Sequence, residues 1–262
     1  MTDEKLLALY DTEERINADW PSFVREETGL VVRHVPTSPE VHGNTGFLTY
    51  SQLDRATADQ VIVDQIDFFS ARKFGFSWKL YGHDTPADLA DRLIAHGLEP
   101  QEPESIMVLD LRQVPPELLE QVRMDVRRIT DPELISDLQK VTVAVWQDEK
   151  RDLFAMLSTM LRETPDQLSI YVAYHDDKPV SGARLQITEG NPFASLWGGA
   201  TLPEYRKQGF YTALLATRVQ EAVRRGASFL TVDAGPMSKP IVERHGFQEL
   251  TTACDFDFAF RE

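Results

Sequence analysis

The chain carries an echo of itself, and that echo restricts the available folds more than any other feature. Laying Gly75 on Gly226, 151 residues apart, sets the apolar stretch 58–73 over the helix-like stretch that begins near Arg206, and residues 77–81 over 228–232. Farther on, residues 86–96 followed by Gly97-Leu98 match residues 240–245 followed by Gly246-Phe247, at an offset near 149. Both copies then run into an apolar strand, residues 106–111 in one and 255–260 in the other. Order, spacing and glycine position agree together, which two copies of one helix–strand–helix–strand unit explain. The join falls at residues 113–122, beside Pro115-Pro116, and gives two domains, 1–115 and 123–262.

The second copy reads more fully. Residues 131–146 form a helix pattern with Asp131 as N-cap and Pro132 in the first turn. Residues 150–162 predict a second helix, stopped before Pro165. Residues 169–175 (SIYVAYH) alternate as a strand, Asp176-Asp177 turns the chain, and residues 179–188 return as its hairpin partner. Residues 193–201 predict a third strand. The strongest helix spans residues 206–225, with Tyr211, Leu214, Leu215, Val219, Ala222 and Val223 at helical spacing and Gly226 as its stop. A strand (229–233), a short helix (238–245) and a last strand (249–260) follow. The order β-α-α-β-β-β-α-β-α-β predicts an α/β domain.

Composition removes several function classes. Cys254 is the single cysteine, so neither a disulfide framework nor a zinc site built on paired cysteines is available. His34, His42, His83, His96, His175 and His245 show no metal-ligand spacing, and no metal is expected. The formal net charge is -15; residues 1–122 carry 22 Asp and Glu against 10 Lys and Arg, residues 123–262 carry 20 against 17. Nucleic acid binding needs a basic face and is disfavoured. The acidic balance serves solubility and would also steer a cationic amine. The N-terminal Met-Thr-Asp-Glu-Lys does not read as a secretory signal, and no apolar run approaches the ~18 residues of a membrane helix, so a cytoplasmic protein, monomer or homodimer, is expected.

The stretch with most chemistry is residues 195–215, SLWGGATLPEYRKQGFYTALL. A strand ends at Thr201, a loop leads to Gln208-Gly209, and a helix starts at once. A helix N-terminus offers unpaired N–H groups and the positive end of a dipole, and a glycine there lets an anion approach. Arg206 and Lys207 add charge at the same mouth. Strand, glycine loop and helix suggest a phosphate or diphosphate seat. Neither G-x-x-x-x-G-K-[ST] nor G-x-G-x-x-G is present, so P-loop and Rossmann sites are unsupported. Residues 203–211, PEYRKQGFY, instead resemble the R/Q-x-x-G-x-G/A motif of the GCN5-related N-acetyltransferase (GNAT) superfamily. The element order and the terminal E-R-H-G-F (residues 243–247), similar to that family's E-K-x-G-F ending, carry the same resemblance.

The resemblance implies the acyl-CoA N-acyltransferase fold, a mixed sheet flanked by helices, here in two tandem copies. It implies acetyl-CoA as cosubstrate and direct transfer of the acetyl group to a primary amine, on a small molecule or a peptide. The diphosphate would lie on the backbone of Arg206, Lys207, Gln208, Gly209, Phe210, Tyr211 and Thr212. The pantetheine arm would follow Ala200, Thr201 and Leu202, after a bulge at Gly198-Gly199. Two departures stand out. Tyr211 occupies the place of the usual final Gly or Ala, either packing on the core or crowding the diphosphate. Val242 occupies the place of the tyrosine that protonates the leaving thiolate, and Gly235 that of a common asparagine; Ser238, Tyr205 or water remain for the proton. That substitution keeps open a non-catalytic acyl-CoA-binding regulator. Asp233 is the candidate general base, with an ordinary turn role as its alternative, and Glu189 reads as solvated. In the first copy Gly209 aligns with Ala58 and Phe210 with Asp59, so that copy is expected to bind no CoA.

Overall fold

The computed structural model describes residues 1–37, 45–147 and 151–260, with backbone alone at Arg151 and Asp152; His42 and Lys150 lie outside the described residues. The chain divides into two compact units, Met1–Ile106 with Glu249–Glu262, and Met107–Gln248.

The first unit begins with α1 (Asp3–Tyr10), which runs on through a wider turn, Asp11–Ile16. Then come β1 (Phe23–Glu27), β2 (Val31–Pro36), β3 (Thr45–Ser51), α2 (Ala58–Ser70), β4 (Gly75–Tyr81), α3 (Leu89–Ala95) and β5 (Glu99–Pro100). Its sheet runs β1-β2-β3-β4 and is continued by β12 (Gln248–Phe258). Only β3 and β4 run parallel, and α2 makes the crossover between them. Ile62, Phe69, Phe76, Trp78, Leu89 and Phe256 form its core. A buried Arg15 is held by both oxygens of Asp84 at 2.7 and 2.9 Å, by Asp11 at 2.7 Å and by the face of the Tyr81 ring at 3.9 Å. These partners compensate the cost of burying its charge.

The second unit takes β6 (Glu104–Asp110) from residue 107 on, then β7 (Asp125–Ile129), α4 (Ile135–Trp146), α5 (Arg151–Glu163), β8 (Leu168–His175), β9 (Lys178–Ile187), β10 (Phe193–Thr201), α6 (Phe210–Arg224), β11 (Phe229–Ala234) and α7 (Lys239–Arg244). The sheet order is β6-β11-β10-β9-β8-β7. Asp131 accepts the Glu133 N–H at 2.9 Å and opens a 3-10 turn, Pro132–Leu134, that feeds α4. Asp176 and Asp177 both take left-handed φ, 49° and 59°, the turn geometry that matches strand twist in a tight hairpin. β8 is buried on both faces rather than alternating with solvent. Tyr171 and Ala173 pack with Phe210 and Leu214 of α6, while Ile170, Val172 and Tyr174 pack with residues of α4 and α5.

Three sequence expectations shift. The long helix starts at Phe210 rather than Arg206, because Lys207 and Gly209 have φ of 61° and 92° and break the helical run. The residue equivalent to Gly226 (φ 80°) is Lys73 (φ 59°), not Gly75. Each is followed by an N–H bonded five residues back, Ala227 to Ala222 and Phe74 to Phe69. Gly75 instead opens β4. The later pair of stops does coincide: Gly97 and Gly246 have φ of 90° and 85°, with matching bonds from Leu98 to Leu93 and Phe247 to Val242. The spans 1–115 and 123–262 also differ from the compact units, which exchange the strands that close each copy. β12 packs in the first unit because its apolar face fits β4: Phe256 lies opposite Trp78 and Phe258 opposite Phe76.

Candidate active site

The site region of the second unit is built around a split between two parallel strands. β10 pairs with β11 from Phe193–Phe229 to Leu196–Val232, and residues 197–201 of β10 have no partner in β11. On its other side β10 pairs Trp197 with Arg184 and Ala200 with Gly182, so Gly198 and Gly199 together face Ala183. Two residues against one make a bulge, and Gly198 takes the positive φ of 58° it requires. Both glycines are exposed. The bulge expected at this pair is therefore present at the mouth of the split.

Beyond Thr201 the chain makes a short turn, Pro203–Tyr205, and enters α6. Arg206 donates from Nε to the Thr201 carbonyl at 3.2 Å, and Gln208 from Nε2 to the Glu204 carbonyl at 2.7 Å. These bonds shape the loop, and the Arg206 N–H is itself taken by the Pro203 carbonyl at 3.3 Å, so the diphosphate contact expected of that amide is not available. Gly209 is the N-cap and has no side chain to close the helix, and the first helical bond is Ala213 N–H to the Gly209 carbonyl at 2.9 Å. Among the described residues no acceptor stands against the N–H groups of Gly209, Phe210, Tyr211 and Thr212. Four converging donors at the positive end of a fifteen-residue helix form an anion seat. Conformation selects glycine here, with φ at 92°; a Cβ would also stand 3.0 Å from Met124 Cε, the movable end of a flexible side chain.

The expected contacts divide by this geometry. Phe210 is buried against Leu214, Tyr171 and Tyr205, so only its N–H is available to a ligand. Tyr211 packs on the core with Leu196 and Leu215, its ring below Gly199, where a Cβ would be 3.5 Å from Cε2. It therefore lies under the sheet rather than over the helix mouth. Leu202 has its N–H committed to the Val180 carbonyl at 3.0 Å and its carbonyl to Tyr205 N–H at 2.9 Å. The Ala200 carbonyl and Thr201 hydroxyl both meet the Ser181 hydroxyl, at 2.8 and 2.7 Å. Val242 is fully buried in the core, and no tyrosine stands in its place. Ser238 donates to the Gly235 carbonyl at 3.2 Å. Glu189 is exposed. Asp233 follows the last β10–β11 pair by one residue and is half-buried. Leu230, Val232 and Ala234 face the α6 side, so alternation puts Asp233 on the face that carries α4 and α5.

Arg184 is a site residue that sequence reasoning missed. It lies on the α4–α5 face of β9, as does Gly182, whose missing Cβ makes room for Leu138. Arg184 and Gly198 line a cavity of about 230 Å3, with Leu138, Thr142, Trp146, Leu153, Phe154 and Leu157 from α4 and α5. Burial, with Arg218 behind it, lowers the Arg184 pKa to about 10. The only available signal was a lone charge in an apolar strand, which reads as a solvated position until the two helices are placed over it. Among the described residues, no group of three or more His, Cys, Asp or Glu is placed to hold a metal ion, and no helix is long and apolar enough to cross a membrane.

In sequence, residues 131–247 match the model of the acetyltransferase (GNAT) family. The GNAT fold extends across the whole chain. It is similar to a GCN5-related N-acetyltransferase from Kribbella flavida (TM-score 0.70, 14% identity, 97% of this chain and 94% of that one). It is also similar to a functionally unknown conserved protein from Staphylococcus epidermidis (TM-score 0.70, 14% identity, 92% and 96%). A tandem GNAT protein from the clavulanic acid biosynthesis pathway matches over 100% of this chain and 95% of its own (TM-score 0.63, 14% identity). No curated protein matches the chain in sequence. Acyl transfer is the class of chemistry that this family match supports. The signature at residues 243–247 acts structurally: Gly246 stops α7, leaves no room for a Cβ against Pro115 Cγ at 2.9 Å, and delivers Phe247 to the core.

Proposed function

We propose that the second unit transfers an acetyl group from acetyl-CoA directly to a primary amine, and that spans 1–115 and 123–262 are tandem copies of which only the second is functional. The observation that carries this is the set of unpaired amides at Gly209–Thr212, next to the split between β10 and β11. The residues fit the cosubstrate: these amides, with exposed Arg206 and Lys207, suit a diphosphate, and the edge of residues 197–201 suits an extended amide-bearing arm. Bound acetyl-CoA supplies the activated thioester. The chain positions it, polarises the carbonyl from backbone near the bulge, and excludes water with Phe210 and Tyr211 packed beneath. Leu202 serves through its packing, since its backbone groups are taken. Asp233 is the group proposed to draw a proton from the acceptor, directly or through water. No covalent enzyme intermediate is required, and Cys254, in the first unit, donates its thiol to the Gln101 carbonyl at 3.3 Å.

The first unit closes its equivalent helix start itself. The Asp54 carboxylate accepts the N–H groups of Ala56 and Thr57, both at 2.8 Å, where an anion would bind ahead of α2. Asp59, the carboxylate expected there, instead pairs with Arg92 and His96. One CoA per chain is the consequence. Buried Val242 favours a second reading, an acyl-CoA-binding protein without turnover. Free-thiol release from acetyl-CoA over an amine panel, with calorimetry of CoA binding, decides between them: binding with release supports the transferase, binding alone supports the second reading, and neither overturns both.

A further inference from the structure

Two guanidinium groups of the second unit, those of Arg184 and Arg218, have no counter-ion among the described residues. Arg218 is buried and donates from Nε to the Leu214 carbonyl at 3.0 Å and from Nη1 to the Arg184 carbonyl at 3.2 Å. On the opposite face of the sheet, the Arg184 guanidinium makes no hydrogen bond or ion pair with any described residue. In a chain with a net charge of -15, no described carboxylate has been placed against either. Arg218 is buried and Arg184 half-buried at the wall of the cavity, and an uncompensated cation out of bulk water is costly unless an anion arrives from outside. The Arg184 guanidinium rests on the bulge: a Cβ on Gly198 would stand 3.1 Å from Nη2 and 3.2 Å from Nε. Gly198 thus gives both the turn that opens the strand and the space that holds the charge. The rest of the cavity is apolar, walled by Leu138, Trp146, Phe154 and Leu157, with the Thr142 hydroxyl as its polar neighbour.

We propose that Arg184 recognises a carboxylate on the acceptor, and that the acceptor is an amine with an apolar body and a carboxylate, of the chemical class of an apolar α-amino acid. This rests on the transferase reading and reverses the cationic preference suggested by overall charge. A guanidinium offers paired donors to a carboxylate, the apolar wall takes the side chain, and the bulge brings the amine next to the strand split.

The test compares phenylalanine with phenethylamine, and leucine with isopentylamine, by thiol release from acetyl-CoA. Wild-type protein favours the amino acid of each pair. Arg184→Met cuts the ratio of kcat/KM between amino acid and amine about 10- to 100-fold, the value of one charged hydrogen-bonded contact, with KM for acetyl-CoA unchanged. Arg184→Lys restores part of it. Arg184→Met also leaves Tm unchanged or raised, because no partner is lost, whereas a structural arginine would lower it. Amines favoured in the wild type, or an unchanged ratio in Arg184→Met, overturn the proposal. So does a preference for succinyl-CoA over acetyl-CoA with phenethylamine that Arg184→Met abolishes, since that places the carboxylate on the acyl chain. If no acceptor releases thiol, the transferase reading has failed, and calorimetry with N-acetylphenylalanine decides the remainder. Binding by wild type that Arg184→Met loses supports the anion site; no binding, or equal binding, overturns it.

Discussion

Gly209 joins the strain of one backbone position to the affinity of the proposed seat, so replacing it by alanine separates stability from binding. Its φ of 92° costs a residue with a Cβ about 1–2 kcal/mol. The new methyl would meet Met124 Cε at 3.0 Å, the end of a flexible side chain that can shift for a few tenths of a kcal/mol. For a chain of this size that loss lowers Tm by roughly 2–8 °C. Relief of the strain turns the following peptide and re-aims the Phe210 N–H, removing one or two charge-assisted hydrogen bonds of about 1.5–3 kcal/mol each. CoA affinity measured by calorimetry therefore falls at least about 10-fold. Gly226→Ala is the control: φ is 80° with nothing within 4 Å, at the far end of the same helix. It carries the same backbone cost and a similar fall in Tm, with CoA affinity unchanged. If Gly209→Ala melts lower but binds CoA as tightly as wild type, or if Gly226→Ala loses equal affinity, the argument from amide direction is wrong.

Further outcomes follow from the two units. Phe256→Ala, in a buried position of β12, costs about 3–5 kcal/mol and strips hydrogen-exchange protection from α2 and β4 while α6 keeps its own; loss confined to α6 and β11 would contradict the strand exchange. Asp54 is held below the usual carboxylate range by hydrogen bonds from Thr57 and Ala56, so its contribution is complete above about pH 4 and is lost as pH falls through its folded value. Asp54→Ala thus lowers Tm at pH 7 and little at pH 2, and leaves CoA stoichiometry at one; a second CoA bound would refute the degenerate first unit. Burial lowers the His34 pKa to about 4, with Arg25 adding to the effect. The unfolded chain takes up this proton first, so stability is full above about pH 6.5 and falls by up to about 3 kcal/mol as pH drops to about 4. His34→Phe flattens that part of the curve of denaturation midpoint against pH; an unaltered slope would exclude His34 as its source.

Elements held together by local signals were legible in the sequence. The Asp176-Asp177 hairpin, the Asp131 cap and the Gly226 and Gly246 stops are set by residues adjacent in the chain, and periodicity placed α6 and β10 within a few residues. The α6 start was read four residues early because Arg206–Gln208 are good helix formers; the left-handed Lys207 overrides that propensity. The helix end of the first copy was misaligned for a related reason: a lysine occupies the left-handed stop and the nearest glycine lies two residues on. The exchange of β6 and β12 had no sequence signal, since either apolar strand would satisfy either sheet in pattern, and the choice rests on contacts such as Phe256 opposite Trp78. At the site, the glycine loop and bulge were visible, whereas the commitment of Leu202, the inward turn of Tyr211 and the isolation of Arg184 depend on tertiary neighbours.

The amides at the start of α6 are the groups on which cofactor binding depends. Titrating CoA into the protein while following backbone amide resonances measures them directly. The expected result is saturation at one equivalent, with the largest shifts at Gly209, Phe210, Tyr211 and Thr212 and none at Ala56 and Thr57. Shifts centred on Ala56 and Thr57, or no change at Gly209–Thr212 at saturating CoA, would contradict it.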